Sequence, residues 1–447
     1  MPLRPQRNGT HILDRRRLMQ VGTATTFAAS VTPGKLSAQR EATPVTSGTI
    51  PITGEAIPDL TAFDAAMTAT MTAWAIPGGQ LAIASDDRLV YNRGFGYASV
   101  EDATVVEPEM LFRIASTSKP ITAVAILMLV DSGELTLDTP VFPLLGYELP
   151  PDAPFDSRLD SVTVEHLLVH AGGWNSVASF DPQYQPWSLL ASHTLNAEVP
   201  AEAETIIRFM LTQPLDFDPG TQSAYSNFGF NVLGRVIEHI SGQGYEQFVI
   251  DKVLKPAGIT AMAIGGTTLE ERLPNEVQYY SPPGLDPRPG VFPEGGFVPV
   301  GYGSFFMPAV DAHGGWIASA EDLVRFTLAI DGMKGSALLK PETVNLMETT
   351  PRAPSAAAGA GNVEEALGLG WNSVPTGDGY EWSHAGALEG SNASWLVRTP
   401  QGITLAVVLN SLPEDYAAFF GDLIPTLQQL LAKTTGWPEH DLFATPG

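Results

Sequence analysis

The amino-acid sequence predicts an α+β fold: an antiparallel sheet flanked by helices, with an inserted, mostly helical region. Two observations carry this. Runs with strand periodicity cluster near the two ends of the body of the chain, and helical patterns fill the stretch between them, roughly 136–310. Strands this far apart cannot form a local meander, so one sheet assembled from both ends is the economical solution.

The elements follow in order. From Asp59, Leu60, Phe63, Met67 and Met71 recur at helical spacing. Residues 78–99 (GGQLAIASDDRLVYNRGFGYAS) hold two apolar runs around Asp86-Asp87, which reads as a hairpin. Lys119 to Asp131 is apolar on every side, so this helix should be buried all round. Two long loops are expected, 175–200 and 281–312. The second carries Phe292, Phe297, Tyr302, Phe305 and Phe306, and would suit an apolar acyl group if these rings roof a site. After Gly314-Gly315-Trp316 a helix is expected over Ala320 to Ile330. Strand-like GLGWNSV, SNASWLVRTP and GITLAVVLNS come next, and a closing helix runs from Glu414 to about Lys433. A site at the seam of sheet and helical region is the default expectation.

The ends read differently from this body, which is assigned to 59–436. In residues 1–38, Arg15-Arg16-Arg17 precede a mildly apolar stretch from Val21 to Val31, and small residues follow at Ser37 and Ala38. This pattern resembles a twin-arginine export signal and predicts a periplasmic or extracellular protein. Residues 39–58 lack periodicity and read as a Thr/Pro-rich linker.

Composition narrows the function. The 447-residue chain has 24 Lys+Arg against 49 Asp+Glu, a formal net charge of −25, and no Cys. Nucleic-acid binding needs a positive face that this balance does not supply. Without thiols there is no disulfide scaffold, cysteine-type zinc site or cysteine nucleophile. The longest apolar run, Ile121 to Val130, is ten residues, where a membrane-spanning helix needs about 20. The partner this leaves is a small-molecule or peptide substrate; oligomeric state is not legible.

Three short motifs can carry chemistry. Ser116-Thr117-Ser118-Lys119 opens the apolar helix and is the only Ser-x-x-Lys in the chain. Residues i and i+3 share a helix face, so the hydroxyl and the amine can touch. Apolar surroundings and the positive end of a helix dipole both disfavour the ammonium form, which makes Lys119 a general base beside a nucleophile. Tyr225-Ser226-Asn227 follows the turn Asp218-Pro219-Gly220. A phenol near a lysine can relay a proton, and the amide can orient a carbonyl. His384-Ala385-Gly386 reads as a small-residue turn before a strand, where backbone N–H groups could hold an oxyanion.

Taken in this order and spacing, the motifs resemble the penicillin-recognising serine hydrolases: class C beta-lactamases, exocellular DD-peptidases and family VIII carboxylesterases. The phrases HLLVHAGGW (166–174), FDPGTQSAYSNFGFNVLG (217–234), GGWIASAEDLVRF (314–326) and GLGWNSV (368–374) are similar to stretches of that family, and the resemblance runs from about 59 to 433. It implies an antiparallel sheet beside a helical region, and two-step acyl transfer that needs no cofactor or metal. It implies Ser116 as nucleophile, Lys119 as its base and Tyr225 as a second proton relay. It further implies Asn227 as a substrate-orienting amide, and the N–H groups of Ser116 and Ala387 as the oxyanion hole, with Gly386 beside them. His384 stands where the family usually has the lysine of Lys-Thr-Gly, and Ala385 where it has the threonine. The missing hydroxyl weakens carboxylate binding by about 1.5–3 kcal/mol, which disfavours a beta-lactamase and leaves ester or amide hydrolysis and D-alanyl-D-alanine carboxypeptidase action open.

Three rivals are weaker. His166 and His170 follow Glu165 but do not form H-E-x-x-H, and G-x-S-x-G is absent. A non-catalytic binder or sensor on the same fold should have lost part of Ser116, Lys119 and Tyr225, and all three are present.

Overall fold

The computed structural model describes residues 49–293, 296–351 and 368–444. The export signal read in residues 1–38 lies outside them, as do residues 39–48 of the linker.

Eight strands form one antiparallel sheet: β1 (Ile52–Thr53), β2 (Gly78–Ser85), β3 (Arg88–Ser99), β4 (Thr104–Val105), β5 (Asn372–Thr376), β6 (Gly379–Leu388), β7 (Asn392–Arg398) and β8 (Ile403–Leu409). Their order is β1-β3-β2-β8-β7-β6-β5, with β4 paired to β3. The two ends of the chain meet at β2 and β8, where Leu81 faces Val407 and Ile83 faces Leu405. The sheet is therefore closed by contacts more than 300 residues apart in sequence, as the clustering of strand patterns at the ends requires.

Five helices frame it: α1 (Thr61–Ala73), α2 (Ser118–Ser132), α3 (Asn227–Ser241), α4 (Ala320–Ile330) and α5 (Tyr416–Lys433). Side-chain alternation along the strands sends each set to a different layer. Leu81, Ile83, Leu405 and Val407 pack with Phe63, Met67 and Met71 of α1 and with Phe419, Leu423 and Leu427 of α5. Ala82, Ala84, Ala406 and Val408 face the other way, into the main core with Leu323 and Phe326 of α4. Small residues on that face let helix and sheet approach closely. Because both faces are covered, β7 and β8 are buried along their whole length. Helix α2 runs through the main core with a buried residue at every position from Ser118 to Leu127, so apolar side chains all round it meet a partner. No helix among the described residues is long and apolar enough to cross a membrane.

Several expectations need correction. The segment read as a linker is partly structured: β1 pairs with β3, and the Arg93 guanidinium holds the Thr53 carbonyl (2.7 Å) and the Glu55 carbonyl (3.0 Å). Its Thr/Pro composition hides this because a two-residue edge strand is too short to show periodicity. The domain also continues past 436, since Trp437 packs on Phe63, Asp441 accepts from the Leu89 amide (3.0 Å) and Phe443 lies under Arg325. The helical part of the inserted region ends at Leu254, and beyond it turns and two-residue strands prevail up to Val298. The loop 175–200 contains a helix, Trp187–Leu195.

Candidate active site

Ser116 sits on a tight turn between a short strand, Phe112–Arg113, and helix α2. Ala115, just before it, adopts φ +46°, a left-handed conformation that a side chain disfavours. Such strain persists only where neighbours over-determine it, and here they do. From behind, Asn392 of β7 donates to the Arg113 carbonyl (2.6 Å), and Ser394 donates to the Ile114 carbonyl (2.7 Å) and lies 2.8 Å from the Thr117 hydroxyl. From the side, the Ile114 amide donates to the Trp316 carbonyl (3.1 Å). Arg113 is fully buried, stacked on Tyr279 and Tyr302, and donates to the carbonyls of Gly266 and Gly301.

Helix geometry brings Lys119 onto the face of Ser116, and Lys119 Nζ donates to Ser116 Oγ at 3.0 Å. Its other two partners are the Asn227 side-chain carbonyl (2.8 Å) and the His313 backbone carbonyl (2.9 Å). Both can only accept. A neutral lysine amine would spend its two N–H groups on them and keep its lone pair for the serine proton. The neutral form is accessible, because complete burial pushes the Lys119 pKa down to about 7 and the nearby Asp181 carboxylate opposes only part of that shift.

Tyr225 completes the triangle: its hydroxyl donates to Ser116 Oγ at 2.7 Å, and its ring lies 4.7 Å from Lys119 Nζ. Its position follows from the start of α3. Ser226 caps that helix by accepting from the Gly229 amide (3.2 Å), while its own amide donates to His170 Nδ1 (3.2 Å). The His170 ring then packs, tilted, 4.7 Å from the Tyr225 ring. The cap sets Tyr225 outside the helix and Asn227 in its first turn, both facing Lys119. His166 instead closes a capping box with Thr163 on a short helix.

The fourth side of the site is β6. Here the structure corrects the sequence reading: His384-Ala385-Gly386 is not a turn but lies within a ten-residue strand. Its Gly and Ala content and weak alternation concealed it. Strand β5 stops pairing at Asn372 opposite Ser383, so beyond that point the edge of β6 faces the Ser116 turn instead of β5. Approach is close enough that a Cβ on Gly386 would fall 2.1 Å from the Ile114 carbonyl oxygen and 2.3 Å from Ser394 Oγ. Only glycine fits.

Ser116, His170, Tyr225, His384 and Ala387 all line one cleft of about 680 Å³. Its remaining wall is largely apolar, with Tyr184, Leu285, Phe305, Leu388, Leu412 and Phe420. The one cationic side chain outside the histidines is Arg288, already paired with Glu389 at 2.5 Å. Of the five aromatic residues expected to roof the site, Phe305 lines it; Phe306 packs on Phe292, Tyr302 on Arg113, and Phe297 is exposed. The sequence reading missed Asn392, Ser394, His313 and Asp181. The first two lie in a strand read only for its apolar residues, and the last two show no spacing to the motifs.

Comparison with known proteins agrees with this geometry. Residues 63–423 match the beta-lactamase family model. The chain belongs to the beta-lactamase family, and like its relatives it is a serine hydrolase. It is 29% identical over 355 residues to the esterase EstB of Burkholderia gladioli, covering 75% of this chain and 86% of that one. Among solved structures it superposes on the octameric penicillin-binding protein homologue from Pyrococcus abyssi with TM-score 0.62 and 26% identity, over 84% of this chain and 78% of that one. The D-amino acid amidase of Ochrobactrum anthropi SV3 shares the fold with TM-score 0.62 at 21% identity, over 84% of this chain and 98% of the other.

Proposed function

We propose that this protein hydrolyses carboxylic esters or amides with an apolar, uncharged acyl group, through a covalent ester on Ser116. The observation that carries the reading is the convergence of Lys119 Nζ (3.0 Å) and the Tyr225 hydroxyl (2.7 Å) on Ser116 Oγ at the floor of an apolar cleft. Lys119, neutral, takes the serine proton as Oγ attacks the substrate carbonyl. The oxyanion forms against the edge of β6 that faces the Ser116 turn, where the N–H groups of Ser116 and Ala387 stabilise it. Tyr225 passes the proton to the leaving alcohol or amine, and water repeats the sequence to release the acid. Asn227 keeps Lys119 aimed at the serine. His384 takes a position beside the substrate, where a family member that binds carboxylates would carry a lysine. The arginine-rich leader extends the proposal to an enzyme exported from the cytosol.

Ester or amide hydrolysis is favoured over peptidase action by the cleft itself. Its only arginine is neutralised by Glu389, and Ala385 offers no hydroxyl to a substrate carboxylate. The likeness to a penicillin-binding protein homologue favours D-alanyl-D-alanine carboxypeptidase action as the second reading. A panel of p-nitrophenyl esters of increasing acyl length, run with wild type and Ser116→Ala beside incubation with a penicillin, separates the two. Ester turnover lost in Ser116→Ala, with penicillin intact and no lasting adduct, supports the first reading. A lasting penicillin adduct with no ester turnover moves the assignment to the peptidase.

A further inference from the structure

Behind the catalytic groups lies a carboxylate that no step above uses. Asp181 belongs to the 175–200 segment, well away in sequence from all three motifs, and is half-buried behind Asn227. Its Oδ2 accepts from the Asn227 side-chain amide at 2.8 Å, and its Oδ1 accepts from the Gln183 backbone amide at 3.0 Å. Asn227 in turn accepts from Lys119 Nζ at 2.8 Å. The chain Asp181–Asn227–Lys119–Ser116 is therefore continuous, and its polarity is fixed from the far end.

We propose that Asp181 is a positioning residue for the reaction: it holds the Asn227 amide in the one orientation that turns its oxygen to Lys119, and places a carboxylate directly behind that amide. This rests on the reading of Ser116 and Lys119 as nucleophile and base. A carboxylate can only accept hydrogen bonds, so it selects the NH2 end of Asn227 and leaves the carbonyl end for the lysine. With the amide reversed, an N–H would meet the amine and displace its lone pair from Ser116. The charge acts on the protonation of Lys119, separately from this geometry. The groups facing Lys119 are Ser116, Tyr225, Asn227, His313 and Asp181; burial and the charges of Lys119 and Arg235 keep His313 neutral, and Asp181 is the one carboxylate in the set, its pKa raised by burial against the opposing hydrogen bonds from Gln183 and Asn227 and the charge of Lys119. An anion near a lysine favours its charged form, so Asp181 limits how far burial depresses it.

The experiment compares wild type, Asp181→Asn and Asp181→Glu. Lys119 is followed by NMR of 13C-labelled lysine side chains, seven in all, assigned with Lys119→Arg. Ester hydrolysis is measured across pH on the same preparations. Asp181→Asn keeps the shape but removes the charge and admits the reversed amide. The expected result is a Lys119 midpoint about half a pH unit or more lower, an acid limb of kcat/KM moved by the same amount, and kcat about 10-fold lower at unchanged KM. Asp181→Glu should restore the midpoint. An unchanged midpoint and acid limb in a folded Asp181→Asn protein would overturn the inference, whatever its effect on melting temperature. Failure of the underlying reading looks different: a fluorophosphonate probe would not label Ser116 in the wild type.

Discussion

Lys119 is fully buried and has no carboxylate in direct contact; its partners are a hydroxyl, a side-chain carbonyl and a backbone carbonyl. That environment tolerates an ammonium poorly and an amine well, which is why its pKa falls to about 7 from the ordinary lysine value of 10.5. The consequence for pH has a definite sign. The base is the deprotonated form, so kcat/KM should rise with pH and level off above a midpoint near 7, as a plot of kcat/KM against pH for a neutral ester would show. Activity that is flat from pH 5 to 9 would remove Lys119 as the base. At this scale the sequence was legible in part. The i, i+3 spacing puts Ser116 and Lys119 on one helix face, while Tyr225 and Asn227 open a separate helix and were tied to that pair only by the family resemblance. Asp181 and His313 were not legible, because what brings them to Lys119 is tertiary packing rather than spacing.

Among the elements, β6 and the Ser116 turn depend most on each other. The strand edge comes so close to the turn that the Cβ of Gly386→Ala would collide with the Ile114 carbonyl and with Ser394 Oγ, both fixed by hydrogen bonds. Separation of the two elements would misplace the proposed oxyanion site, so Gly386→Ala should lose about 1–3 kcal/mol of stability by denaturant titration and about 100-fold in kcat. The strand went unrecognised in the sequence because its Ser-His-Ala-Gly-Ala core has low strand propensity; its partner β7 and the Ser116 turn impose the extended form. The loop that supplies Phe305 shows the opposite limit. Aromatic content predicted a roof, but composition cannot tell which ring points inward. Phe305→Ala should lower the preference for long over short acyl chains by about 10-fold. Phe306→Ala should leave it unchanged, since that ring packs on Phe292. Ester chain-length series on both variants check this.

The molecule as a whole is one sheet stitched from both ends of the described chain, with the site at the seam of sheet and helical region. That architecture was readable because strand and helix periods segregate along the sequence. The domain limits were not: β1 is held by strand pairing with β3 and by Arg93, and the 437–444 tail by side chains from distant segments, rather than by any pattern of their own. His440 bonds to the Val90 carbonyl (3.0 Å), and Phe443 sits beneath both Arg325 (4.1 Å) and Lys334 (4.4 Å). Deleting residues 437–447 should therefore cost about 2–4 kcal/mol of unfolding free energy, read by chemical denaturation, with kcat for a short ester unchanged, because the tail lies on elements remote from Ser116. The most direct test of the central claim is intact-mass measurement during acid-quenched turnover of a p-nitrophenyl ester, followed by peptide mapping, in wild type and Ser116→Ala. The predicted result is a single acyl adduct on the peptide that contains Ser116, absent from the variant. An adduct that persists in Ser116→Ala, or hydrolysis that the variant retains at the wild-type rate, would contradict it.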